Sequence, residues 1–233
     1  MGGVTKLGRT LLLAAVLAVV AACWLGCGGD DDNPADNNSG NNNGITGGGD
    51  NTGGSNAVVK GTFIDGRDST KYTTVKIGGK TWTAQNLNYR TDSSWCYRNA
   101  DSNCVKYGRL YTWAAAEMVC PKGWHLPDTS EWRKLVAAAG GQSAAGGKLK
   151  SASGWNGDGN GTDEFGFSAL PGGNRNPEGK FGGAGDNGHW WAITERGSGG
   201  AYYRSMYCDN DSADDRYGNG NKSYGDSVRC VED

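Results

Sequence analysis

The sequence predicts an α+β fold with two helices, short antiparallel strands and long glycine-rich loops. Three observations lead there. Apolar and polar residues alternate on both sides of a Gly-Gly pair in YTTVKIGGKTWTAQNL. Two helical stretches with start and stop signals follow, RLYTWAAAEMVC and TSEWRKLVAAAG. After Ser151 the chain turns glycine-rich, interrupted by short apolar islands that suit strands. Strands, then helices, then long loops and closing strands is the order of an α+β domain.

The fold does not occupy the whole chain. Residues 1–22 carry Lys6 and Arg9, then an unbroken small-and-apolar run from Leu11 to Ala22. That run is short for a bilayer span. Its basic start, apolar middle and small residues have the organisation of a secretory signal peptide. It ends in VAAC at Cys23, and WLGC at Cys27 follows. Small residues directly before a cysteine resemble the bacterial lipoprotein signal, in which the cysteine becomes the acylated N-terminus. Cys23 is favoured, because Val20 suits the branched apolar position before it better than Trp24 does for Cys27. The expected location is therefore the outer membrane or cell surface, with palmitate-type chains attaching the protein to a membrane it does not span. Residues 23–57 are Gly, Asn and Asp almost throughout and have too few apolar groups to offset chain entropy. They read as a flexible tether with a typical span of roughly 30 Å.

Residues 58–233 are then a single domain, long enough to bury a core. The whole chain carries a formal charge of −2, and the tether is rich in acids, so the domain is near neutral. Without a basic face, nucleic acid is excluded as a natural partner. Export places the domain in an oxidising compartment, where cysteines pair. Cys96 and Cys104 bracket the short polar loop YRNADSN and form one natural pair; Cys120 and Cys230 would then be the second, leaving Cys208 odd. The second bridge closes a loop worth about 4–5 kcal/mol in the chain-entropy model.

Each element has its own signal. The Gly78-Gly79 pair marks a two-residue hairpin, with Val75, Ile77, Trp82 and Leu87 facing inward. The first helix runs from Thr112 and stops before Pro121. Pro121 and Gly123 turn the chain, and the WHLP segment that follows is short and extended. Asp128 caps the second helix, with Glu131 completing a capping box. Trp132, Leu135, Val136 and Ala139 share one side of it, and Gly140-Gly141 ends it. A further helical turn is expected around Lys148 to Lys150. FGFSALP, HWWAIT, AYYRSMY and DSVRCV read as short strands bordering loops.

Four segments carry a family resemblance: RLYTWAAAEMVCPKGWHLPDTSEW, KLKSASGWNGDGNGTDEFGFSALPGG, HWWAITE and NKSYGDSVRCV. Together they closely resemble the Fibrobacter succinogenes major paralogous domain, from about Gly61 to Glu232. The helix, the C…W-x-L-P-x-x-x-E-W pattern and the closing VRC strand also resemble the formylglycine-generating-enzyme branch of C-type-lectin-like folds. That resemblance implies a C-type-lectin-like domain whose first helix region is pinned to its last strand, which supports Cys120–Cys230. Cys208 stands where the family has a serine-like residue, and Asp226 stands where an aromatic is usual.

Four sets of residues are candidates for chemistry. His125 is expected to be a partly buried turn residue beside Trp124, bonded to backbone, and not a general base. Cys208 admits an oxidase-like enzyme by analogy with formylglycine-generating enzymes, which use a pair of cysteines with copper; a free thiol or an intermolecular pair is the plainer reading. Asp158, Asn160, Thr162 and Asp163 space oxygen ligands as calcium requires, although flanking helices and a terminal glutamate are missing. The plainer reading is a turn-rich polar loop and no cofactor, with calcium as the alternative. Asn176-Pro177-Glu178 resembles, in altered order, the sugar-selecting tripeptide of calcium-dependent lectins.

The last third is crowded with aromatics among Asn, Asp and Arg. Flat rings and amides suit sugars. Strand alternation puts Trp191 and Tyr203 in the core and leaves Trp190, Tyr202, Arg204, Tyr207 and Arg216 for a ligand. The opposite parity stays open. The favoured function is a non-catalytic binding domain for polysaccharide or another extracellular ligand. The alternatives are an adhesive surface protein that binds other proteins, and the Cys208 oxidase.

Overall fold

The Gly-Gly hairpin is formed as the sequence predicts. In this computed structural model, which describes residues 58–216 and 220–233, Lys71–Ile77 (β2) turns back into Lys80–Thr83 (β3). Gly78 and Gly79 take φ of 61° and 84°, values a β-carbon disfavours. Val75, Ile77, Trp82 and Leu87 are all buried. Lys60–Ile64 (β1) adds to the outer edge of β2.

Next come the short pair Ser94–Trp95 (β4) and Leu110–Tyr111 (β5), which bracket a helix at Asp101–Tyr107 (α1). Trp113–Val119 (α2) is capped by Thr112, whose side chain accepts from the Ala115 N–H. Trp124–His125 (β6) leads into Thr129–Ala138 (α3), where Asp128 and Glu131 form the full capping box. Ala145–Leu149 (α4) completes the helices. Then follow Gly172–Arg175 (β7), Phe181–Ala184 (β8), Asn187–Arg196 (β9), Gly200–Tyr207 (β10), Asp214–Arg216 (β11) and Val231–Glu232 (β12).

Two five-stranded sheets result. One has the order β1-β2-β3-β12-β6, and the other β11-β10-β9-β7-β8. Pairing between strands is antiparallel except where β7 meets β9, at Gly173 opposite Gly188. The α+β class holds, but the helix count does not: four α-helices are present among the described residues, not two. Helix α1 starts inside the polar stretch that read as a loop, because the bridged pair Cys96–Cys104 folds that stretch back on itself. The glycine-rich region also holds the unforeseen hairpin β7–β8. FGFSALP forms only an isolated bridge, Ala169 to Lys150.

The core has two parts, and β9 divides them. Val75, Trp82, Trp132, Phe167, Trp190 and Met206 lie in one cluster. Tyr72, Leu87, Tyr111, Trp113, Trp191 and Cys230 lie in the other. Neighbouring residues of a strand point to opposite faces, so Trp190 and Trp191 are both fully buried because both faces of β9 are covered. Each fully buried indole donates its N–H, as Trp190 does to Asn86 Oδ1 at 2.8 Å and Trp191 to the Tyr111 carbonyl at 2.8 Å.

Two staples hold these layers. Cys96–Cys104 and Cys120–Cys230 are bonded as expected. The second joins the exit of α2 to the residue before β12. Beside it, Arg229 is fully buried. Its guanidinium donates to Asn86 Oδ1 at 2.7 Å and to the carbonyls of Thr83 at 2.9 Å, Phe167 at 2.7 Å and Ser168 at 2.9 Å.

Candidate functional site

The hairpin β9–β10 builds one wall of a cleft. Its register sets Tyr203 opposite Trp191, Ser205 opposite His189 and Tyr207 opposite Asn187. His189, Tyr203 and Tyr207 therefore share a face. The rings of Tyr203 and Tyr207 flank the imidazole, with centroids 5.2 Å and 6.0 Å away. From β7 comes Asn174, and the β7–β8 turn and β8 supply Asn176, Lys180, Phe181 and Gly182. The far side is the segment before β12, with Tyr224 and Asp226. These residues enclose about 510 Å³, within the usual range for small-ligand sites.

The floor is polar and buried. Asn174 Nδ2 lies 3.2 Å from His189 Nδ1. With that amide nitrogen donating, Nδ1 accepts and Nε2 carries the proton. His189 is 8 % exposed, and its Nε2 has no hydrogen-bond partner among the described residues. Asp226 is held through its backbone, its N–H and carbonyl both bonded to Tyr111 at 3.0 and 2.8 Å. Its side chain is buried, with the residue 3 % exposed, and Oδ1 also has no hydrogen-bond partner there. Asp226 Oδ1 stands 3.8 Å from His189 Nδ1, too far for a hydrogen bond. A buried carboxylate oxygen and a buried imidazole N–H, both unmatched, are costly unless something enters the cleft to meet them.

The predicted ligand residues divide. Tyr207 lines the cleft. Trp190 does not, because it is fully buried in the first core cluster. Tyr202 is half-buried and packs against that same cluster. Arg204 is buried too: Nη2 pairs with Asp215 Oδ1 at 2.6 Å and Nη1 donates to the Ala213 carbonyl at 3.0 Å, while burial pushes its pKa down. Arg216 is placed by its backbone opposite Tyr203; its side chain lies outside what is described, as does Tyr217. The parity of β10 is thus the reverse of the expected one, with Arg204 buried and the half-buried Tyr203 lining the cleft while it packs against the second core cluster. Asn174, Lys180, Phe181, His189, Tyr224 and Asp226 also line the cleft and are not among the residues singled out from the sequence. Only Asp226 left a signal, as a charged residue where the resemblance leads one to expect an aromatic.

The other candidates resolve differently. His125 does not bond to backbone: Nδ1 lies 2.7 Å from Asp233 Oδ1, and Nε2 lies 3.0 Å from both oxygens of Glu131. Lys80 approaches the same Glu131 at 3.4 Å. The imidazole thus clamps the last residues onto α3. In the calcium-like loop, Asp158 is exposed. Asn160 Oδ1 accepts from the Trp155 N–H at 3.1 Å, and the Thr162 hydroxyl donates to the Gly147 carbonyl at 3.4 Å. Asp163 accepts from the Ser168 N–H at 2.7 Å and from its hydroxyl at 2.6 Å. Asn160 and Asp163 therefore close the loop, and no cluster of three or more His, Cys, Asp or Glu that could hold a metal occurs among the described residues. In the NPE segment, Asn176 lines the cleft while its Oδ1 accepts from the Lys180 N–H at 2.7 Å. Cys208 is disulfide-bonded, which sets aside the free-thiol reading. The signal region, the tether and the lipidation cysteine Cys23 lie outside the described residues.

A second depression of about 550 Å³ lies between Val58, Ile77, Ala137 and Phe165. None of the unmatched buried polar atoms belongs to it. Compared with known families, residues 75–232 match the model of the Fibrobacter succinogenes major domain. No curated protein and no solved structure matches the chain.

Proposed function

The chain belongs to the Fibrobacter succinogenes major domain family, and from that premise we propose that residues 58–233 form a non-catalytic binding module for a polyhydroxylated ligand, a polysaccharide segment above all. The observation that carries the reading is the cleft floor. Asp226 Oδ1 and His189 Nε2 are buried and unmatched, and their residues line a cavity together with Tyr203, Tyr207 and Tyr224. A carboxylate accepts from one hydroxyl, an imidazole N–H donates to its neighbour, and tyrosine faces pack on the C–H faces of a sugar ring.

Three further points support the setting. Cys208 is in a disulfide, so the thiol that oxidase chemistry would need is engaged. The bridge from the α2 exit to Cys230 suits a C-type-lectin-like scaffold, which is our finer reading of the α+β fold. Among the described residues no helix is long and apolar enough to cross a membrane, which is compatible with attachment through an acylated Cys23 and a tether at 23–57. In this reading the domain is displayed from the outer membrane or cell surface. The calcium candidates Asp158, Asn160, Thr162 and Asp163 are not part of the cleft lining.

The test is a glycan array followed by calorimetric titration of the best oligosaccharide. Tyr207→Ala should weaken binding by about tenfold, the scale of one aromatic contact. Protein that binds no glycan, yet is retained by a purified surface protein, would replace this reading with the adhesive one.

A further inference from the structure

Resting on that binding reading, we propose that the cleft selects a ligand carrying a protonated amine, an amino sugar being the class that also satisfies the tyrosine walls. The charge balance of the floor leads there. Asp226 has no lysine or arginine ion pair among the described residues. Its nearest cationic candidate is His189 Nδ1 at 3.8 Å, and that nitrogen is engaged by Asn174 at 3.2 Å. Lys180 lines the cleft but is an exposed residue, where solvent screens it. A buried carboxylate is therefore left for the ligand to neutralise.

A neutral hydroxyl supplies one donor and no charge. An ammonium supplies three donors and a full charge, and a charge-assisted bond is about twice as strong as a neutral one. The walls point the same way, because the faces of Tyr203, Tyr207 and Tyr224 are attractive to cations. His189 Nε2–H adds the second requirement, an acceptor oxygen next to the amine. A 2-amino-2-deoxy sugar carries its amine between hydroxyl-bearing carbons and meets both.

The test compares three tetrasaccharides by calorimetry on the intact domain: glucosamine tetramer, its N-acetylated counterpart and cellotetraose. The glucosamine tetramer should bind about tenfold tighter than either neutral one, in keeping with a single charge-assisted contact. Asp226→Asn should bring the three within twofold of one another. Acetylation removes the charge from the ligand alone, so the comparison decides the matter even if that variant fails to fold. Equal or tighter binding of cellotetraose overturns the amine proposal and leaves the glycan reading standing. Selectivity for amines that persists in Asp226→Asn overturns it as well. If none of the three binds and the array is also blank, the binding reading itself falls.

Discussion

Replacing Arg229 by Met keeps an unbranched stem of similar length and removes every donor. In the native domain that guanidinium makes four hydrogen bonds, to Asn86 Oδ1 and to the carbonyls of Thr83, Phe167 and Ser168. Its carbon also lies 4.5 Å from the Phe167 ring centroid. Asn86 Oδ1 would keep one donor, the Trp190 indole at 2.8 Å. The three carbonyls would lose the Arg229 donor, at about 1–3 kcal/mol for each one left unsatisfied. Against this, the variant no longer desolvates a charge, which offsets several kcal/mol. The burial cost is real, since it pushes the Arg229 pKa down to about 9. The balance is a net loss of about 3–5 kcal/mol, the usual scale for breaking a buried charged network from one side. The assay is urea unfolding of the oxidised protein, read as a midpoint shift at constant slope. Arg229→Lys should recover less than half the loss, because a point donor cannot reach carbonyls spread around a planar fork. A Met variant within about 1 kcal/mol of the native protein would refute the reasoning, showing that the bonds only cancel desolvation.

Two further outcomes are expected. Cys120–Cys230 spans 110 residues and Cys96–Cys104 spans 8, so chain entropy assigns them about 5 and about 2.5 kcal/mol. Paired Cys-to-Ala variants compared in urea should rank in that order, and a larger loss from the short bridge would contradict it. Burial raises the Tyr72 pKa from 10.0 to about 12. The stability its neutral hydroxyl contributes is therefore whole below pH 10 and is lost as pH rises toward 12. Tyr72→Phe should flatten the decline of melting temperature across that window, and an unchanged slope would show that other groups govern alkaline unfolding.

What could be read in advance was local. The Gly78-Gly79 turn, the Asp128–Glu131 box and the bridges Cys96–Cys104 and Cys120–Cys230 follow from neighbours in sequence or from a long specific motif. Strands β9 and β10 were visible as well, but not the direction of their side chains. Alternation identifies an inner face only when the other face meets water, and here a core lies on each side of β9, so Trp190 and Trp191 carry the same message. The cleft was out of reach for a different reason. Asn174, His189, Tyr203 and Asp226 come from four separate stretches, and only the parallel contact of β7 with β9 brings the first two together. Asp226 stands out against its family resemblance, but sequence does not distinguish a misplaced charge from one that lines a cavity. Helix α1 was hidden because its residues are mostly polar and show no apolar stripe, only Cys104 and Tyr107 being buried.

Strand β12 lies between β3 and β6, although the ribosome makes it after every other strand of the domain. Until Val231 reaches its place opposite Trp82 and His125, the sheet has a gap in its middle and Cys120 lacks its partner. The sheet closes only when its final strand arrives.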